Sequence, residues 1–155
     1  MSKYSFKNQL KLNLKINKIM SKIQVNDVFK QEFSFSQEQV NKFAELTGDS
    51  NPLHLDAAYA ATTPFKRPIM HGFLGGSVFS RVFGMFFPGE GTIYMRQTME
   101  FMRPMFVDTV YEVVFTVIET NPEKHTATVR TEMFDKTSQK CTIKGDALVM
   151  NIEKI

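Results

Sequence analysis

Between Gly72 and Phe87 the sequence GFLGGSVFSRVFGMFF carries a single charge, Arg81, and is apolar on every side of a helix. A helix of that kind has to be buried, and it falls short of the ~20 residues that cross a bilayer. It also contains Gly75, Gly76 and Gly84. Each glycine inside a helix costs roughly 1 kcal/mol relative to alanine, so three of them imply that a sheet or a ligand comes close to the helix backbone. Pro88-Gly89 stops the helix.

What flanks this segment fixes the fold class. Upstream, VNDVFKQEFSF (Val25 to Phe35) reads as a strand with a turn at Asn26-Asp27. Ser36, with Gln39 three residues on, is a capping-box pattern. The helix it opens has a face made of Val40, Phe43, Ala44 and Leu46, and Gly48 stands where it ends. Downstream only strand patterns occur: TIYMRQTMEFMRP, TVYEVVFTVIET, HTATVRTEMFD and KCTIKGDALVMNI, joined by the turn-rich NPEKH and DKTSQK. His125, in the first of these turns, is expected in solvent, and Cys141 is expected packed in its strand. The economical arrangement is α+β: a strongly curved antiparallel sheet wrapped around the one buried helix, in a single domain.

Charge is unevenly placed. Residues 1–26 hold six lysines and no acid, so the rest of the chain is slightly acidic despite the overall +3. A slightly acidic domain without a basic stripe excludes nucleic acid as the expected partner. One cysteine excludes an internal disulfide and fits a reducing compartment, and no Cys/His spacing suggests structural zinc. MSK occurs at Met1 and again at Met20. Between them Leu10, Leu12, Leu14 and Ile16 alternate with Lys11, Asn13 and Lys15, a period of two. An import helix needs a period near 3.6 and favours arginine, so residues 1–20 are expected to be a dispensable extension and residues 21–155 the domain. The expected location is cytoplasmic, with the mitochondrial matrix as the alternative if residues 1–19 act as a presequence.

The loop GDSNPLHLD, Gly48 to Asp56, puts two carboxylates and a histidine around an Asn-Pro break. Asp49 and His54 are five residues apart across that break, so both can point at one water, the arrangement that general acid–base chemistry requires. Asp49 could instead bond its own loop's amides, and Asp56 reads as the cap of a short helix over AAYAATT. Gly72, after His71, stands at the start of the buried helix, where free amides and the dipole favour an anion.

The run FAELTGDSNPLHLDAAYAATTPFKRPIMHGFLGGSVFS, Phe43 to Ser80, resembles the signature of the MaoC-like hydratases and 3-hydroxyacyl-thioester dehydratases. The resemblance implies a hot-dog domain, usually a homodimer, and reversible (R)-specific hydration of a trans-2-enoyl-CoA. It implies that Asp49 and His54 are the dyad that activates water, that the Gly72 amide forms the oxyanion hole, and that the Ser80 hydroxyl orients the dyad. Asn51 matches the motif as a loop-shaping residue. His71 is expected to support the helix entrance, and Asn51, His71 and Phe73 are grouped as the substrate-side residues. Phe73, Phe79, Phe83, Phe86 and Phe87 are expected mainly in the core, some lining an acyl channel. No cofactor and no metal is expected, although Asp49, His54, Asp56 and His71 form a conceivable ligand set. The alternatives are a dehydratase acting on acyl-carrier-protein thioesters and an acyl-thioester-binding module without turnover. Arg67, Arg96 and Arg103 are the candidate carrier contacts, and no membrane partner is expected.

Overall fold

In a computed structural model, which describes residues 22–155, the alternating segments become strands of one antiparallel sheet. In chain order the elements are β1 (Val28–Phe33), α1 (Gln37–Thr47), α2 (Pro52–Leu55), α3 (Ala57–Thr62), α4 (Gly72–Met85), β2 (Ile93–Gln97), β3 (Glu100–Phe101), β4 (Tyr111–Asn121), β5 (Thr126–Asp135) and β6 (Cys141–Met150). Across the sheet the order is β1-β4-β5-β6-β2, with β3 paired to β6. The expected extension, residues 1–20, lies outside the described residues.

Register follows from burial. Val113 pairs with Met133, Phe115 with Thr131 and Val117 with Val129 between β4 and β5. Ala127 pairs with Val149, Val129 with Ala147 and Met133 with Ile143 between β5 and β6. All of these residues are buried, so they line one face, and a slip of one residue would turn the whole set to solvent. The one hydroxyl among them, on Thr131, bonds the Gly145 carbonyl and accepts from Gln97.

Helix α4 lies on that face with Leu74, Val78, Phe79, Val82 and Phe83 buried. Phe79 and Phe83 both meet the Phe115 ring edge-on, at centroid distances of 5.8 and 5.0 Å. Burying a phenylalanine contributes about 1.5–3 kcal/mol, and an edge-on aromatic pair adds about 0.5–1.5 kcal/mol. A Cβ at Gly75 would come within 2.9 Å of Met105 Sδ, and one at Gly76 within 2.7 Å of Met99 Sδ. The two glycines therefore let side chains from the sheet's rim close on the helix, as expected. Gly84 has no neighbour within 4 Å, so close packing does not explain it. Ile23 and Ile155, tied by a bond from the Ile23 amide to the Lys154 carbonyl (2.8 Å), complete the core.

Four expectations need correction. Burial of α4 is one-sided: Phe73 is 68% and Met85 70% exposed, with Ser77, Ser80 and Arg81 also at the surface. Phe86, just beyond the helix, is exposed too. Leu46 is 85% exposed, because it lies about 60° further round α1 than Phe43 and misses the stripe of Val40 and Ala44. His125 is half-buried with Nδ1 enclosed, since the hairpin turn folds against Asn151, whose amide bonds the His125 carbonyl. Cys141 is half-buried at the first position of β6, where desolvation pushes its thiol up. By contrast, the capping box of Ser36 and Gln39 forms, and Gly48 ends α1 in the left-handed region at φ 76°.

Candidate active site

The chain leaves α1 at Gly48 and turns through Asp49 and Ser50 into Asn51, whose side chain caps α2 by accepting from the Leu53 amide (3.0 Å). Pro52 follows at the first helical turn, where its missing N–H costs nothing. Asp56 ends α2 and caps α3 by accepting from the Tyr59 amide (3.0 Å), as expected. Asn51 thereby shapes the loop through its side-chain oxygen. One oxygen of Asp49 also serves the loop, accepting weakly from the Asn51 amide at 3.4 Å. Its side chain is otherwise open to solvent, with 55% of its surface exposed.

His54 sits in the single turn of α2. Its carbonyl accepts from Gln37 Nε2 (3.1 Å), and its Nδ1 lies 2.7 Å from the Ile69 carbonyl oxygen. A carbonyl only accepts, so Nδ1 carries the hydrogen and Nε2 is left as a bare acceptor. That is the tautomer a base needs. The segment bearing Ile69 is itself pinned, its amide to the Leu53 carbonyl (3.2 Å) and the Met70 amide to the Met105 carbonyl (2.7 Å).

His71 comes next and is 2% exposed. Its Nε2 lies 2.9 Å from the Asp49 backbone carbonyl and 3.8 Å from an Asp49 carboxylate oxygen. Its ring lies tilted against His54 at a centroid distance of 3.8 Å and meets Phe43 at 5.1 Å. The expected place of His71 among the substrate-side residues is not what the structure shows, because burial turns it toward the loop. Ligand atoms of Asp49, His54 and His71 all lie within 4.8 Å of one another. Chemically the trio suits a borderline divalent ion, but His71 Nε2 would first have to give up its bond to Asp49. Asp56, part of the conceivable ligand set, is occupied as a cap.

His71 is also the N-cap of α4 and makes no side-chain bond to the first turn, so Gly72 stands at an uncapped helix start. Gly72 borders a cleft of about 380 Å³ lined by His54, Phe73, Phe101, Met102, Met105 and Ile143 among others. A Cβ on Gly72 would come within 2.6 Å of the Phe101 ring. The cleft thus joins an imidazole, an anion-favouring helix end and an apolar wall, a set of groups suited to hydrating a polarised double bond. Phe65, Phe101, Met102 and Met105 line it unforeseen, since no local pattern distinguishes an apolar residue at a cleft's rim from one in a core.

Ser80 is not brought to Asp49 and His54 of its own chain. Eight residues past Gly72, it lies about 12 Å further along the helix axis, on the exposed face that also bears Phe73 and Ser77. Of the three arginines, Arg103 borders the cleft and anchors Nη1 on the Cys141 carbonyl (2.6 Å). Arg67 rests over the Phe106 ring at 3.8 Å, and Arg96 is exposed on β2. A larger trough of about 520 Å³, bordered by Met95, Lys124 and Leu148, contains none of the candidate residues.

The family profile described as MaoC like domain matches residues 18–147. The chain belongs to this family. It is 41% identical over 115 residues to the (R)-specific enoyl-CoA hydratase of Aeromonas caviae, covering 74% of this chain and 85% of that one. With the 3-hydroxybutyryl-CoA dehydratase of Methylorubrum extorquens it shares 37% over 125 residues, 81% of this chain and 77% of the relative. Among solved structures, the (R)-hydratase from A. caviae involved in PHA biosynthesis superposes with a TM-score of 0.80 at 37% identity, covering 83% and 97% of the two chains. The α+β hot-dog fold of this MaoC-like chain is thereby shown, and no helix of its described residues is long and apolar enough to cross a membrane.

Proposed function

We propose that the chain catalyses reversible (R)-specific hydration of trans-2-enoyl-CoA, with Asp49 and His54 as the dyad and the Gly72 amide as the oxyanion donor. The observation that carries this reading is the grouping of His54, whose Nδ1 is taken by the Ile69 carbonyl and which has a ring nitrogen within 4.8 Å of an Asp49 carboxylate oxygen, beside the uncapped start of α4. Two hydrogen bonds of ~2.8 Å to one roughly tetrahedral water span about 4.4 Å, which fits the gap of at most 4.8 Å between the ligand atoms of the two residues. His54 takes a proton from that water as its oxygen bonds to C3. The electron pair moves through C2 onto the thioester oxygen, where the Gly72 amide holds the enolate. The enolate then collapses, and C2 receives a proton from the dyad. Asp49 orients the water and balances the imidazolium.

The relatives' names support the substrate class, since two of them act on CoA thioesters. A homodimer is part of the reading. The exposed Phe73 and Met85 on α4 offer an apolar surface for a second copy. Ser80 lies on this face, so its hydroxyl belongs to the interface and not to its own chain's dyad. The deciding experiment follows the loss of enoyl-thioester absorbance with crotonyl-CoA and longer analogues, and resolves the product by chiral separation. Formation of (R)-3-hydroxyacyl-CoA is expected. Saturable thioester binding without turnover would replace this reading with that of a binding module.

A further inference from the structure

We propose that His71 is a positioning residue that locks the dyad loop to the oxyanion helix through the hydrogen bond from its Nε2 to the Asp49 carbonyl. The inference rests on the hydratase reading of the site. Asp49 lies on an exposed loop, one oxygen of its side chain bonding only weakly to its own backbone. Left to itself, such a loop has little to fix the carboxylate against His54. His71 supplies the missing tie. Its Nε2 reaches the Asp49 carbonyl at 2.9 Å, its ring lies against His54 at 3.8 Å, and it directly precedes Gly72 as the N-cap of α4. One buried ring therefore touches both members of the dyad and leads into the peptide whose N–H is the oxyanion donor.

The state of the ring follows from its partners. The Asp49 carbonyl can only accept, so Nε2 carries the hydrogen. Nδ1 is buried and has no hydrogen-bond partner among the described residues. A second hydrogen on Nδ1 would bury a donor with nothing to receive it, against the ring of His54. His71 thus holds one tautomer and acts by shape and donation, while His54 exchanges the proton. A shift of about 1 Å in a reacting group can cost roughly 100-fold in rate, which is the scale on which this tie matters.

The test compares two variants of the full chain. His71→Phe keeps a ring in contact with Phe43 and His54 but removes the donor. His71→Gln keeps a donor near the Nε2 position and removes the ring. With crotonyl-CoA, His71→Phe should lose roughly 10- to 100-fold in kcat with KM changed by less than about 3-fold, and His71→Gln should restore most of that loss. Near-normal kcat in His71→Phe overturns the proposal, as does a His71→Gln that is as slow as His71→Phe at equal melting temperature. Nitrogen-15 NMR of the imidazoles in the unmodified chain gives a second readout that needs neither turnover nor a folded variant. Hydrogen on Nε2 of His71 and on Nδ1 of His54 is expected. Hydrogen on Nδ1 of His71 overturns the proposal even if the chain is an active hydratase, whereas an inactive chain with the expected tautomers rejects the hydratase reading and leaves the tie in place.

Discussion

Asp49 and His54 differ sharply in how they are held: His54 is fixed through its ring, its carbonyl and its amide, whereas Asp49 stands on an exposed loop. Asp49→Asn and His54→Gln should each lower kcat by ~10²–10⁴ without loss of fold, measured as crotonyl-CoA hydration beside the melting temperature. Gly72→Ala makes a finer demand. The added methyl meets the Phe101 ring, which is half-exposed and able to swing, and so narrows the cleft without moving the amide. A strong fall in kcat/KM with a nearly constant melting temperature is expected, and activity that falls only in step with stability would count against the oxyanion assignment. Asp49, His54 and Gly72 were legible in the sequence as candidates because the Asn51-Pro52 break and the helix start at Gly72 are local signals. The ring contact of His71 with His54 was not, since residues 17 apart meet only through the return of the chain at Ile69.

At the scale of elements, the glycines separate packing from propensity. Gly84→Ala has open space and relieves a helix interior, so it should raise stability by about 0.5–1 kcal/mol, seen as a higher melting temperature. Gly145→Ala should do the opposite, by on the order of 3 kcal/mol, because its Cβ would lie 1.7 Å from the Thr98 carbonyl oxygen of the β2–β3 link. The sheet also carries a pH signature. Burial raises the phenols of Tyr94 and Tyr111 above their usual value of 10.0. The unfolded chain therefore ionises first as pH climbs past 10, and the stability from keeping these phenols neutral, complete below that point, is lost at higher pH. Thermal unfolding should show a falling melting temperature above pH 10, with a shallower fall in Tyr94→Phe. Strand existence and register were readable from alternation, as Val113, Phe115 and Val117 show. The reach of α4 was not, because an all-round apolar helix looks the same whether one chain covers it or two.

For the whole molecule, residues 1–19 hold five lysines and no acid, and lie upstream of Ile23, which the core uses. A chain beginning at Met20 should therefore match the full chain in melting temperature and turnover. A large drop would mean that the Leu10 to Ile16 alternation takes part in the sheet. The proposed homodimer predicts a sedimentation mass of about twice 17.8 kDa. The uncovered face of α4 then has a consequence in mass action. Where a second copy shields Phe73 and Met85, dilution alone removes that shield, so heat resistance becomes a property of the solution as much as of the chain. Unfolding curves recorded over a hundredfold range of protein concentration would then fan apart, the thinnest solution melting first.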